Sequence, residues 1–203
     1  MASQIITTER LAIFTIGHST RPIEEFIDLL RLNGVEQLID IRTIPKSRHN
    51  PQFNNDALEA SLRASHINYV HMKDLGGLRH PHPDSVNLGW RNKSFRGYAD
   101  YMRTPEFEAA LNRAIELAKT RPTALMCAEA VPWRCHRSLV ADALLARGVY
   151  VPEIVSSAQP REHKFTPFAS VSGIKVTYPG DQLTLLNPSD ELKGKRLGKN
   201  KRQ

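Results

Sequence analysis

Short apolar runs rich in β-branched residues alternate with amphipathic stretches of about ten to fifteen residues, and this alternation restricts the fold more than any other feature of the chain. Leu11-Ala-Ile-Phe-Thr-Ile16 reads as a buried strand ended by Gly17. Pro22 to Leu32 places Ile23, Phe26, Ile27 and Leu30 on one helical stripe, and Asn33-Gly34 stops it. The same grammar predicts strands over 37–41, 68–71 and 123–127, and helices over 55–65 and 105–119. A further helix is expected over 135–147, ended by Gly148, and a last strand over 149–155. Such βαβ crossovers predict an α/β fold: a single three-layer domain over residues 1–192, with a mainly parallel, doubly wound, Rossmann-like sheet of about five strands. Ile174 to Tyr178 is expected as an added edge strand or small hairpin.

Composition supports a globular chain. With 40% hydrophobic and 24% charged residues among 203, a core is available and disorder is excluded as a global description. No apolar run approaches the roughly 18 residues a membrane span needs, and the start lacks the basic-then-apolar order of a secretory signal, so no membrane partner and a cytoplasmic location are expected. The net charge of +7 favours anionic partners, a small molecule or nucleic acid. Part of that excess sits in Lys193 to Gln203, where six residues are Lys or Arg, expected as a flexible basic tail. Nothing in the sequence sets the oligomeric state or names a cofactor.

In an open parallel sheet, ligands bind outside the carboxyl ends of the strands. After the first strand comes Gly17-His18-Ser19, and Asp40 with Arg42 closes the second. His71 ends the third, and the fourth runs into Cys127-Ala-Glu129, then Arg134-Cys-His-Arg137. Four connections therefore bring charged or reactive groups to one edge. The candidates for acid, base or nucleophile are His18, Glu129, His136 and Cys127; those for substrate binding are Arg42, Arg134, Arg137, Ser19, Asp40 and His71. The expected helix start near Cys135 aims backbone N–H groups at the loop, which suits an anion and lowers a thiol pKa. Cys127 and Cys135 are accordingly either nucleophilic thiolates or buried structural thiols. The Cys-x5-Arg pattern of phosphatases and arsenate reductases is not met, because six residues separate Cys127 from Arg134.

No metal ligands are expected. Two Cys and His136 fall short of a closed four-ligand zinc site, and a metal or haem centre drawn from His18, His71, Cys127 or His136 has no recognised ligand spacing. The long connection from Leu78 to Lys93 reads as either a lid or a surface loop.

The motifs Thr15-Ile-Gly-His-Ser19, Asp40-Ile-Arg-Thr-Ile-Pro-Lys-Ser47, Tyr69-Val-His71, Leu75-Gly-Gly77, Phe95-Arg-Gly-Tyr-Ala99, Tyr101-Met102 and Met126-Cys-Ala-Glu129 followed by Cys135-His-Arg137 occur in order. On them the chain resembles the domain of unknown function 488 family, over roughly residues 12–155. The resemblance implies a compact α/β fold with a polar cleft and implies no particular reaction. Taken with the basic groups at the strand ends, the expectation is an enzyme acting on a phosphate-bearing substrate, a nucleotide or nucleic-acid end. The alternative is a non-catalytic nucleic-acid-binding module.

Overall fold

The computed structural model describes residues 10–180, so the basic segment 193–203 lies outside the described residues. The elements in chain order are β1 (Ile13–Gly17), α1 (Ile23–Leu32), β2 (Gln37–Asp40), α2 (Asn55–Ala64), β3 (Asn68–His71), α3 (Lys93–Tyr101), α4 (Pro105–Thr120), β4 (Thr123–Cys127), α5 (Arg137–Ala146), β5 (Pro152–Ile154), β6 (Arg161–Glu162), β7 (Ser170–Ser172) and β8 (Lys175–Thr177). Six strands form one sheet in the order β3-β2-β4-β1-β5-β6. The first five are parallel, and β6 runs antiparallel to β5 at the edge. β7 and β8 make a separate hairpin, the smaller of the two outcomes expected for 174–178.

Alternation along the strands sorts the core into two layers. Ile16, Leu38, Ala124 and Met126 pack with Phe26 and Leu30 of α1 and Leu58 and Leu62 of α2. Their neighbours Ile39, Leu125 and Cys127 turn the other way, onto Tyr98, Phe107, Leu111, Leu139 and Val140 of α3, α4 and α5. Because both faces are covered, β4 is buried at every position, which is why its sequence is a continuous apolar run.

The chain winds from β1 to β2 to β3 in one direction across the sheet and back through β4 to β5 in the other. With right-handed crossovers, that reversal puts α1 and α2 on one face and α3 to α5 on the other. β4 lies between β1 and β2, whose following helices are on the opposite face from α5, so the connections diverge there and leave a crevice at the carboxyl ends.

Local differences from the sequence expectation have physical causes. The last helix begins at Arg137 rather than Cys135, because Pro132–Arg134 first form a 3-10 turn in which the Pro132 carbonyl accepts the Cys135 N–H at 3.0 Å. The strand expected over 149–155 contracts to Pro152–Ile154, with only an isolated bridge from Ala12 to Tyr150 before it. The long connection before α3 is anchored rather than loose: the carboxylate of Asp100, itself buried, accepts from His82 N, Ser85 Oγ and Asn87 Nδ2 at 2.9, 2.6 and 2.8 Å. Among the described residues no helix is long and apolar enough to cross a membrane.

Candidate active site

The crevice is a cleft of about 700 Å³. His18, Ser19 and Thr20 from the loop after β1 line it, with Arg42, Thr43, Ile44, Lys46, Ser47 and Asn50 from the connection after β2. Gly77, Leu78, Ser94 and Phe95 contribute from between β3 and the first turn of α3. The β4–α5 connection supplies Cys127 to Val131, Arg134, Cys135 and His136.

Two loops are locked together first. The N–H groups of His18 and Ser19 donate to the carbonyls of Cys127 and Ala128 at 3.0 and 2.8 Å. This approach needs Gly17: a Cβ there would lie 1.8 Å from the Glu129 carbonyl oxygen. The buried His18 ring stacks on Phe53, centroids 4.3 Å apart, and its Nδ1 donates to the Ser19 carbonyl at 2.8 Å. That tautomer leaves Nε2 as an acceptor, 3.3 Å from Nη1 of Arg42. Burial holds the His18 pKa below its ordinary value, so the ring is neutral at neutral pH.

Arg42 is oriented from beneath. Its Nε and Nη2 donate to the carboxylate of Asp40 at 2.9 and 2.6 Å, and Asp40 is fully buried. Burial opposes the Arg42 charge, but the bidentate bonds to Asp40 outweigh it and the pKa ends raised. Tyr69 Oη donates to the same carboxylate at 2.8 Å, and burial followed by the Asp40 charge pushes the phenol pKa up, so it remains a neutral donor.

At the end of β4 the two thiols meet. The Cys127 and Cys135 sulfurs are 2.7 Å apart, and Nδ1 of His136 lies 3.9 and 3.7 Å from them. The Cys135 hydrogen bond draws the Cys127 pKa well down, against burial and with help from His136 and Arg137. The same bond, with burial, pushes Cys135 up, so Cys127 is the more acidic thiol of the pair. Behind them Arg137 is 1% exposed. Its Nη1 and Nη2 donate to the Glu129 and Ala130 carbonyls at 3.3 and 3.4 Å, and its Nε has no partner among the described residues. No carboxylate pairs with this guanidinium among the described residues, and its hydrogen bonds go to backbone carbonyls alone.

Seven of the residues expected at the site line the cleft: His18, Ser19, Arg42, Cys127, Glu129, Arg134 and His136. Asp40 sits beneath it as the partner of Arg42. Two are placed elsewhere. Arg137 braces the Glu129–Ala130 backbone from behind, and His71 Nε2 lies 2.8 Å from the Arg42 carbonyl, outside the cleft lining. Sequence reasoning missed Tyr69 and Phe53, which orient Asp40 and His18. Tyr69 is two residues from His71, the strand partner of Asp40, so only the β2–β3 register reveals that it reaches that carboxylate.

A family model described as domain of unknown function DUF488 matches residues 22–144. That span holds Arg42, Cys127, Glu129, Arg134, Cys135 and His136, while β1 and the His18–Ser19 loop precede it. No curated protein and no solved structure matches the chain. The family match extends over more than half of the sequence, and the chain belongs to the DUF488 family.

Proposed function

We propose that the protein is an enzyme acting on a phosphate-bearing substrate, a nucleotide or a nucleic-acid end, bound in the cleft at the carboxyl ends of the strands. The observation that carries this reading is Arg42: a guanidinium held rigidly by Asp40 and His18, charged, and part of the cleft wall. A cation fixed in this way binds an anion without first losing side-chain freedom, and forked donors match phosphate oxygens. Arg134, exposed in the same cleft lining, supplies a second cation for that anion, and the Ser19 hydroxyl adds a donor. The cleft volume of about 700 Å³ falls within the roughly 300–1,000 Å³ of small-molecule sites, which suits a nucleotide.

Glu129 is the acid or base in this reading, since its exposed carboxylate stands in the same lining as both arginines. Cys127, His136 and Cys135 form the reactive floor. His18 and Asp40 act through Arg42 and are positioning residues.

The test is a calorimetric and turnover screen of nucleotides and short oligonucleotides, with wild type, Arg42→Lys and Glu129→Gln in parallel. The expected result is binding lost in Arg42→Lys, and turnover lost in Glu129→Gln with binding retained. Binding to oligonucleotides that weakens steeply with salt, with no turnover in any variant, overturns the enzyme reading in favour of a nucleic-acid-binding module.

A further inference from the structure

We propose that Cys127, Cys135 and His136 form a binding site for one soft divalent cation of the zinc class, with the remaining coordination position open to the cleft. Their three ligand atoms lie within 4.8 Å of one another, and all three residues belong to the cleft wall, so an ion has both donors and a path of entry. Two thiolates and an imidazole leave a fourth tetrahedral position for water or substrate, the composition of open rather than closed zinc sites.

The imidazole is prepared for this role. Nε2 of His136 faces the Ile41 carbonyl at 3.2 Å, and because a carbonyl only accepts, the proton belongs on Nε2. The Nδ1 lone pair is thereby aimed at the two sulfurs. Metal-binding histidines show the same arrangement, with the far nitrogen donating to a carbonyl or carboxylate. Gly77 keeps that edge of the ring clear: a Cβ at this position would sit 2.3 Å from His136 Nδ1. Tyr98, fully buried, supports the ring from the core side at a centroid distance of 4.9 Å.

Distances agree with modest adjustment. Ligand bonds of about 2.3 Å to sulfur and 2.0–2.1 Å to nitrogen put sulfur and nitrogen about 3.6 Å apart around a tetrahedral ion. The two sulfur–Nδ1 separations are 3.9 and 3.7 Å. The sulfurs, 2.7 Å apart, open to about 3.8 Å on loading.

Two further features bear on charge. The Arg137 backbone N–H donates to Cys135 Sγ at 3.4 Å, and the Arg137 guanidinium is enclosed behind the β4–α5 connection with no carboxylate paired to it among the described residues. Two thiolates neutralise a dication, and the cation of Arg137 then leaves the loaded centre net positive. The open position consequently prefers an anionic ligand, hydroxide or a phosphate oxygen. The ligand set itself is independent of the phosphate reading, because sulfur and imidazole hold the ion whatever substrate the cleft takes.

The experiment uses the full chain, reduced and stripped of metal, titrated with Co²⁺ and then with Zn²⁺. The expected result is a thiolate-to-cobalt charge-transfer band with intense tetrahedral d–d bands, saturating at one ion per chain and abolished by Zn²⁺. The chain has two cysteines, so such a band is tied to them. Cys127→Ser and Cys135→Ser change the band, and His136→Asn weakens binding more than about 100-fold, beyond the roughly 10–100-fold that loss of an outer-shell partner produces. Circular dichroism confirms that each variant is folded; if a cysteine variant is not, loss of wild-type thiol reactivity on adding Zn²⁺ gives the same information. Absence of the band in folded, reduced wild type overturns the proposal, as does cobalt bound without charge transfer. Nucleotide binding measured on the stripped protein reports separately on the anion site.

Discussion

Raising the pH from neutrality should weaken the fold by unpairing one buried histidine. His163, 7% exposed, follows β6 and sits between two carboxylates, with Nδ1 2.9 Å from Glu153 on β5 and Nε2 2.8 Å from Asp142 on α5. Burial lowers its pKa, but the bonds to Asp142 and Glu153 outweigh burial and bring it to about 9 from 6.5. A folded-state pKa above the unfolded value means that the folded protein holds the extra proton. The stabilisation is therefore complete below about pH 6.5 and is lost as pH rises through about 9. Across that window the slope is about 1.4 kcal/mol per pH unit, about 3 kcal/mol in all. His163→Gln removes the charge while Asp142 keeps the Thr166 N–H, Thr166 hydroxyl and Tyr178 hydroxyl as donors at 3.1, 2.7 and 2.8 Å, so the segment retains its anchor. Urea denaturation followed by Trp fluorescence is a suitable assay, since Trp90 packs on Tyr178 at 5.5 Å. The stability gap between wild type and variant should be about 3 kcal/mol at the acid end of the window and close toward its alkaline end. Taking the difference removes the titration of other groups. A gap that stays constant, or widens with pH, refutes the assignment of an imidazolium between two carboxylates.

Further predictions concern the frame of the site. Asp40→Asn leaves the Arg42 charge buried without its partner and should cost about 3–5 kcal/mol in urea denaturation; a change under about 0.5 kcal/mol would contradict a desolvated pair. Gly17→Ala drives a Cβ into the Glu129 carbonyl and should cost more than about 3 kcal/mol, whereas Gly34→Ala, with open space and φ of +64°, should cost about 1 kcal/mol. Equal melting shifts for the two would show that the β1 and β4 loops are not in close contact. Asp100→Ala releases His82, Ser85 and Asn87 together, and hydrogen exchange should rise over 82–87 while β4 stays protected.

How much of this was legible in the sequence differs by element. β3 and β4 match the sequence reading residue for residue, because a run such as Thr123 to Cys127 states its own burial and Pro122 and the following polar loop bound it. The α5 start was misplaced by two residues, since the 3-10 turn at Pro132–Arg134 depends on where the loop is pinned, and a single sequence carries no record of that. Arg137 shows the same limit at the site. In sequence it is one more arginine beside His136, but its side chain turns behind the loop and binds backbone carbonyls, so it braces the loop and does not line the cleft.

Alone, the sequence determined the βα alternation, the edge of the sheet where polar groups gather and the membership of the family, because periodicity and strand-end chemistry are local properties. Tertiary structure decided the strand order 3-2-4-1-5-6, the partners of each charge, and the meeting of Cys127, Cys135 and His136. The two sulfurs come from either end of the β4–α5 connection, and the imidazole nitrogen that faces them is chosen by a carbonyl on the chain just after β2. Contacts between groups from separate strands depend on register and loop path, which the packing of the whole sheet sets and no local run of residues encodes.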